Sequence, residues 1–268
     1  MLGALRNEKT LSVFAIGFVA LAIAGPRPAL ADSATRSITY SKIVDLSHVI
    51  SADIPLWPGD PAVEFKTVAA IDKDGYYLRS FTIGEHSATH MNAPGSFHAG
   101  GTGIDGYPPE SLVVPAVVVD IAGKAAANAD YAATVADIAA WEAKNGRIPA
   151  GSVVLLSTGW ANKWGDPKAF LNVDADGKLH FPGFAGDTTK FLLAERGIAG
   201  VGIDTHGVDP GLDESFATNN QVLEQPRIAL ENLANLDQLP PTGSTLVIGL
   251  LRLKDGSGSP VSVLAFVP

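Results

Sequence analysis

Three short apolar runs constrain the fold more than any other feature. They are Val113-Val114-Pro115-Ala116-Val117-Val118-Val119-Asp120, Ser152 to Ser157 and Gly200 to Asp204. Each is too short for a typical helix and has almost no polar interruption, the pattern of a strand covered on both faces. Between the last two, Asp187 to Arg196 reads as a helix closed by Gly197. A helix between two buried strands is a crossover packed on a sheet. Asp130 to Lys144 has helical spacing, with Thr134 or Asp130 as N-cap and Asn145-Gly146 as the stop. Ile43 to Ser47, Val63 to Val68, Tyr77 to Ile83, Leu230 to Leu233, Thr245 to Leu253 and Val261 to Phe266 add further strands. With no repeat and no linker, residues 43–268 form one α/β domain, a mixed β-sheet with packed helices.

The first residues are read differently. Arg6 and Lys9 precede an apolar run from Leu11 to Ala24, and Ala29-Leu30-Ala31 follows Gly25-Pro26. A basic start, a short apolar centre and an A-x-A site make residues 1–31 a secretory signal peptide. The apolar run falls below the ~18 residues that cross a bilayer. Residues 32–42 are a polar leader, and the expected location is periplasmic or extracellular. Loss of Arg6, Lys9, Arg27 and Glu8 carries the formal net charge from −9 to −11. That acidity speaks against nucleic acid or an anionic membrane as partner and favours a neutral or cationic substrate. The chain has no cysteine, which excludes disulfides and thiol chemistry and leaves metal ligation to His, Asp, Glu and Asn.

Three of the six histidines fall in Gly84-Glu85-His86-Ser87-Ala88-Thr89-His90-Met91-Asn92-Ala93-Pro94-Gly95-Ser96-Phe97-His98. Imidazoles four residues apart, followed by an amide oxygen, suit Zn²⁺ or Mn²⁺. Ala-Pro-Gly argues against a long helix, so the stretch is a strand end or an irregular loop. On a strand, His86, His90 and Asn92 share a face. Asn92 before Ala-Pro is equally good turn chemistry. Trp57, in the proline-rich Ile54-Pro55-Leu56-Trp57-Pro58-Gly59-Asp60-Pro61, is either a lid or a packing plug. His48 and His180 belong to no constellation and read as surface or turn residues; Trp160 and Trp164 read as packing.

Taken together, several stretches carry a family resemblance. They are Val44 to Ser47, Trp57 to Asp60, Glu85 to Pro94, Pro115 to Asp120, Ser157 to Trp160, Phe181 to Gly183, Gly202 to Thr205, Val208 to Gly211 and Glu231 to Asp237. In this order the chain resembles the metal-dependent cyclase family, which includes bacterial kynurenine formamidase and isatin hydrolase. The resemblance implies a cyclase-family, swivelling β/α-like fold, a divalent metal cofactor (one or two ions) and a dimer or tetramer. The family pattern H-x-G-T-H-x-D-A-P-x-H matches His86 and His90, and a later glutamate matches Glu231, so the implied metal set is His86, His90, Asn92 and Glu231. Asn92 stands in place of an aspartate, Ser96 in place of a proton-handling histidine, and Asn219 in place of another metal-binding histidine. His98 and His206 are the two candidates for the proton step, and Trp57 and Phe97 for flanking a flat substrate. The implied activity is hydrolysis of a small amide or cyclic amide, as in arylformamidase. The three replaced positions leave one alternative, a periplasmic small-molecule or metal-binding protein descended from such an enzyme.

Overall fold

The computed structural model describes residues 37–268, so the expected signal segment, residues 1–31, and the first residues of the expected leader lie outside the described residues. Strand β1 (Lys42–Asp45) opens the domain one residue before the expected boundary. Strands β2 (Glu64–Ala69) and β3 (Leu78–Thr82) pair antiparallel around a single helical turn, α1 (Ile71–Asp74), in a hairpin separate from the main sheet. After β4 (His90–Asn92) and β5 (Val113–Asp120) come α2 (Ala122–Ala127), β6 (Ala132–Ala133) and α3 (Val135–Asn145). Then follow β7 (Val153–Ser157), α4 (Pro167–Leu171), β8 (Gly183–Phe184) and α5 (Gly186–Phe191), which widens into a π turn at Leu192–Arg196. The chain ends with β9 (Gly200–Ile203), α6 (Ala217–Val222), β10 (Ile228–Glu231), β11 (Ser244–Leu250) and β12 (Gly258–Val267).

The mixed sheet is closed. Short β4 hydrogen-bonds to both β10 and β12, which joins β4, β10, β9, β7, β5, β11 and β12 into a ring, with β1 added along the outer half of β12. Strands β5, β7, β9 and β10 run parallel, joined by crossovers, and the remaining pairings are antiparallel. Strand alternation divides the apolar runs between two cores. Val114, Ala116 and Val118 of β5 and Val153 and Leu155 of β7 fill the inside of the ring. Val117, Val119, Val154 and Leu156 point outward to Ile138 and Trp141 of α3 and Leu192 beyond α5. The two-sided hydrophobicity of these strands follows from having a filled barrel on one side and helices on the other.

Helix α3 starts later than the 130–144 spacing predicts. Thr134 Oγ1 accepts from the Asp137 N–H while the Asp137 carboxylate accepts from the Thr134 N–H, a reciprocal cap. Asp130 instead faces His180 Nδ1 at 2.8 Å, so neither is a free surface group. Gly197 at φ 60° ends the α5–π segment as expected. Trp160 packs as expected, buried with its indole N–H donated to the Phe170 carbonyl at 2.8 Å. His48 departs from the surface reading, since it is half-buried and stacked on Trp164 at 4.0 Å. No helix among the described residues is long and apolar enough to cross a membrane.

Candidate active site

Parity along two strands builds the site. Met91 and Leu230 are fully buried inside the ring and are register partners of the β4–β10 pair. Their neighbours must therefore face the other way, so His90 and its partner Glu231, with Asn92 opposite Ala229, point out of the barrel together. His86 arrives by a different route from the expected strand. A turn over residues 85–89, with Ala88 at φ 55°, folds its ring back onto Asn92, and a Cβ at Gly258 would stand 2.7 Å from His86 Cε1. The bare backbone of Gly258 makes that space.

His86 Nδ1 lies 2.8 Å from Asn92 Oδ1, and His90 Nε2 lies 3.0 Å from Glu231 Oε2. Glu231 Oε1 accepts from the Val208 N–H at 3.0 Å and from Asn219 Nδ2 at 3.1 Å. Burial alone would raise the Glu231 carboxyl, but His90, the Val208 N–H and the Asn219 amide outweigh it and hold the pKa at about 2. Asp209, which accepts from the Thr218 and Asn219 N–H groups, is pushed up to about 6 by burial, with the Glu231 charge adding to the rise. Asp60 is raised by burial, against the opposing pull of His86 and His90.

Proton bookkeeping tests whether this donor set suits a cation. His90 Nδ1–H donates to the Ala88 carbonyl at 2.9 Å. The contact of His90 Nε2 with ionised Glu231 thus requires a positive charge, either a second proton or a cation. The Ser257 hydroxyl donates to Glu85 Oε2 at 2.7 Å, so it can only accept from His86 Nε2 at 2.9 Å. His86 Nδ1 facing the Asn92 oxygen then needs a second proton or a cation as well. Burial, then His90, push the doubly protonated form of His86 down, which disfavours the proton solution there. Two imidazoles, a carboxylate and an amide oxygen fit a divalent ion in kind. Among the described residues no three His, Asp or Glu side chains gather as a metal cluster by themselves, and the donor set described here counts the Asn92 oxygen beside His86.

These groups line a cleft of about 430 Å³ together with Asp60, Ser96, Asp209 and Asn219. Trp57, Phe97, Phe181 and Phe216 form its apolar walls. Trp57 stacks over His206 at 5.4 Å and 15°, and Phe97 meets Phe216 at 5.6 Å. His206 is buried with Nδ1 unpartnered, and burial first, then His90, lower its pKa to about 4. His98 is a correction to the sequence reading: it does not line the cleft, and its Nε2 is taken by the Asn220 carbonyl at 3.0 Å. The turn after Pro94 removes the strand parity that would have turned His98 inward. Ser96 lines the cleft with its hydroxyl donated to the Ala93 carbonyl. Residue spacing alone does not mark Asp60 and Asp209 as site residues. Their signal was their place beside Trp57 and Pro210, in two of the stretches that carry the resemblance.

The model of the family described as Cyclase matches residues 44–210. An isatin hydrolase of Roseibium aggregatum is 34% identical over 244 residues, covering 85% of this chain and 92% of the relative. A kynurenine formamidase of Bacillus cereus is 27% identical over 222 residues, covering 82% and 95%. Isatin hydrolase A from Ralstonia solanacearum superposes with a TM-score of 0.80 at 34% identity, covering 85% of this chain and 92% of that one. The matched stretch contains β4, the His86 turn and Asp209, and the alignments cover most of the chain. The chain belongs to the cyclase family.

Proposed function

We propose that the protein is a metal-dependent hydrolase that opens a small amide, with a cyclic aryl amide such as isatin or an N-formyl arylamine such as N-formylkynurenine as substrate class. The observation that carries this reading is the pair of contacts His86–Asn92 and His90–Glu231, at 2.8 and 3.0 Å, each of which needs a second proton or a cation between its two atoms. His86, His90, Asn92 and Glu231 would hold one divalent ion, Zn²⁺ or Mn²⁺. When bound, such an ion polarises a carbonyl and lowers the pKa of water. The chain's own residues do the rest. Trp57, Phe97 and Phe216 sandwich a flat ring and exclude water around it. His206, neutral at pH 7 and with an unpartnered Nδ1 in the same cleft, is the imidazole placed to take a proton; Asp60 is a carboxylate lining that cleft.

The relatives support amide cleavage, and the chain is an enzyme of that kind; the binding-protein alternative has only the replacements at Asn92, Ser96 and Asn219 in its favour. The residue 1–31 pattern supports export, which a reporter fusion of that segment tests. Val68, Ile71, Tyr76, Tyr77, Leu78 and Phe81, all exposed on the β2–β3 hairpin, support a homo-oligomer, which light scattering tests. For the activity, purified protein with added Mn²⁺ or Zn²⁺ should hydrolyse isatin or N-formylkynurenine, and the H86A/H90A variant should not. Full activity in that double variant would sink the mechanism.

A further inference from the structure

The two buried amides of the site, Asn92 and Asn219, are coupled. Asn219 Nδ2 donates to Asp209 Oδ2 at 3.0 Å and to Glu231 Oε1 at 3.1 Å. Carboxylate oxygens only accept, so this amide has one workable orientation. Its Oδ1 is thereby turned to Asn92, which must present Nδ2 to it, at 3.0 Å. Asn92 Oδ1 is then left facing His86 Nδ1. All four side chains of this relay, Asp209, Glu231, Asn219 and Asn92, are buried, and a reversed Asn219 amide would set its oxygen against two carboxylate acceptors.

We propose that Asn219 is a positioning residue that takes the place of a second cation: its NH₂ bridges Asp209 and Glu231, and its oxygen fixes Asn92 with the carbonyl turned into the site. The result is a single-ion site. Where Asn219 stands, a second ion would need a lone pair and meets two N–H donors that are already spent. The inference rests on the metal reading above and adds the ion count and the residue that sets it.

The test is Mn²⁺ binding to chelator-stripped protein, with free ion followed by electron paramagnetic resonance and folding checked by circular dichroism. The wild-type chain should bind one ion. N219D, which exchanges the donor for a third carboxylate oxygen, should bind two. N219L should keep one ion but bind it ~10–100-fold more weakly, the usual effect of losing a hydrogen-bonded partner behind a ligand. N92D alone leaves Asn219 Oδ1 facing an acceptor and should weaken binding, whereas N92D/N219H should bind two ions. Two ions on the wild-type chain, one ion on folded N219D, or unchanged affinity in folded N219L would each overturn the proposal. A wild-type chain that binds no ion overturns the metal reading itself, so the two failures are distinguishable. Should the variants not fold, the wild-type count alone still decides between one ion and two.

Discussion

Gly258 lies opposite Asn92 in the β12–β4 pairing, and the His86 ring occupies the volume where a side chain would begin. Ala at this position would push the ring away from Asn92. G258A should lower kcat/KM about 100-fold, the scale of a 1 Å misplacement in a reacting site. The barrel interior is untouched, so the melting temperature should change little; steady-state kinetics and a thermal melt check both. Trp57 acts on His206 through solvation. Its ring covers the imidazole at 5.4 Å, and burial is the main reason His206 sits at about 4. Uncovering a buried imidazole stabilises its charged form. W57A should therefore raise the His206 pKa toward 6.5, seen by NMR titration, and raise KM more than it lowers kcat.

Helix α3 shields the outer face of β5, with Trp141 donating its indole N–H to the Val118 carbonyl at 2.7 Å. Its start is fixed by Thr134 and Asp137. Burial would raise the Asp137 carboxyl, but Lys124, the Thr134 N–H and the hydroxyls of Tyr131 and Thr134 overcome it and hold the pKa at about 2. A carboxyl whose folded pKa lies below its unfolded value of 3.8 contributes stability above that value. The contribution fades as pH falls from there toward 2. D137N should be less stable than the parent at pH 7, and the gap should narrow as pH falls through this window, measured by urea denaturation across pH. T134A removes one half of the cap and should cost about 1 kcal/mol.

At the scale of the molecule, the barrel closes through β4, three residues long, and two of those residues are His90 and Asn92. The strand that completes the ring also carries half of the donor set. Ion binding and ring closure are thus linked. An ion present at 100 times its Kd would add about 2.7 kcal/mol to the folded state. Chelation should lower the melting temperature as well as abolish activity, and added Mn²⁺ or Zn²⁺ should restore both; calorimetry with and without chelator checks this. The cores inside and outside the ring contain no donor groups of the site, so the stripped chain should remain folded.

The apolar runs determined the buried strands β5, β7 and β9, because two-sided hydrophobicity has few other uses in a chain of this kind. The sequence also placed the donors, since His86, His90 and Asn92 are close along the chain and local spacing limits where they can point. It could not close the ring: β4 carries too few residues for a periodic signal, and its two partners lie more than 130 positions away. The inward turn of Met91 and Leu230, and with it the meeting of His90 and Glu231, exists only once those strands pair. The same holds for the choice between His98 and His206. One backbone turn after Pro94 sends His98 to the Asn220 carbonyl, and one stacked tryptophan keeps His206 buried and neutral. Nor could spacing show that Asn92 and Asn219 are one device, because hydrogen-bond direction is a property of groups in contact, and only the folded chain brings these together.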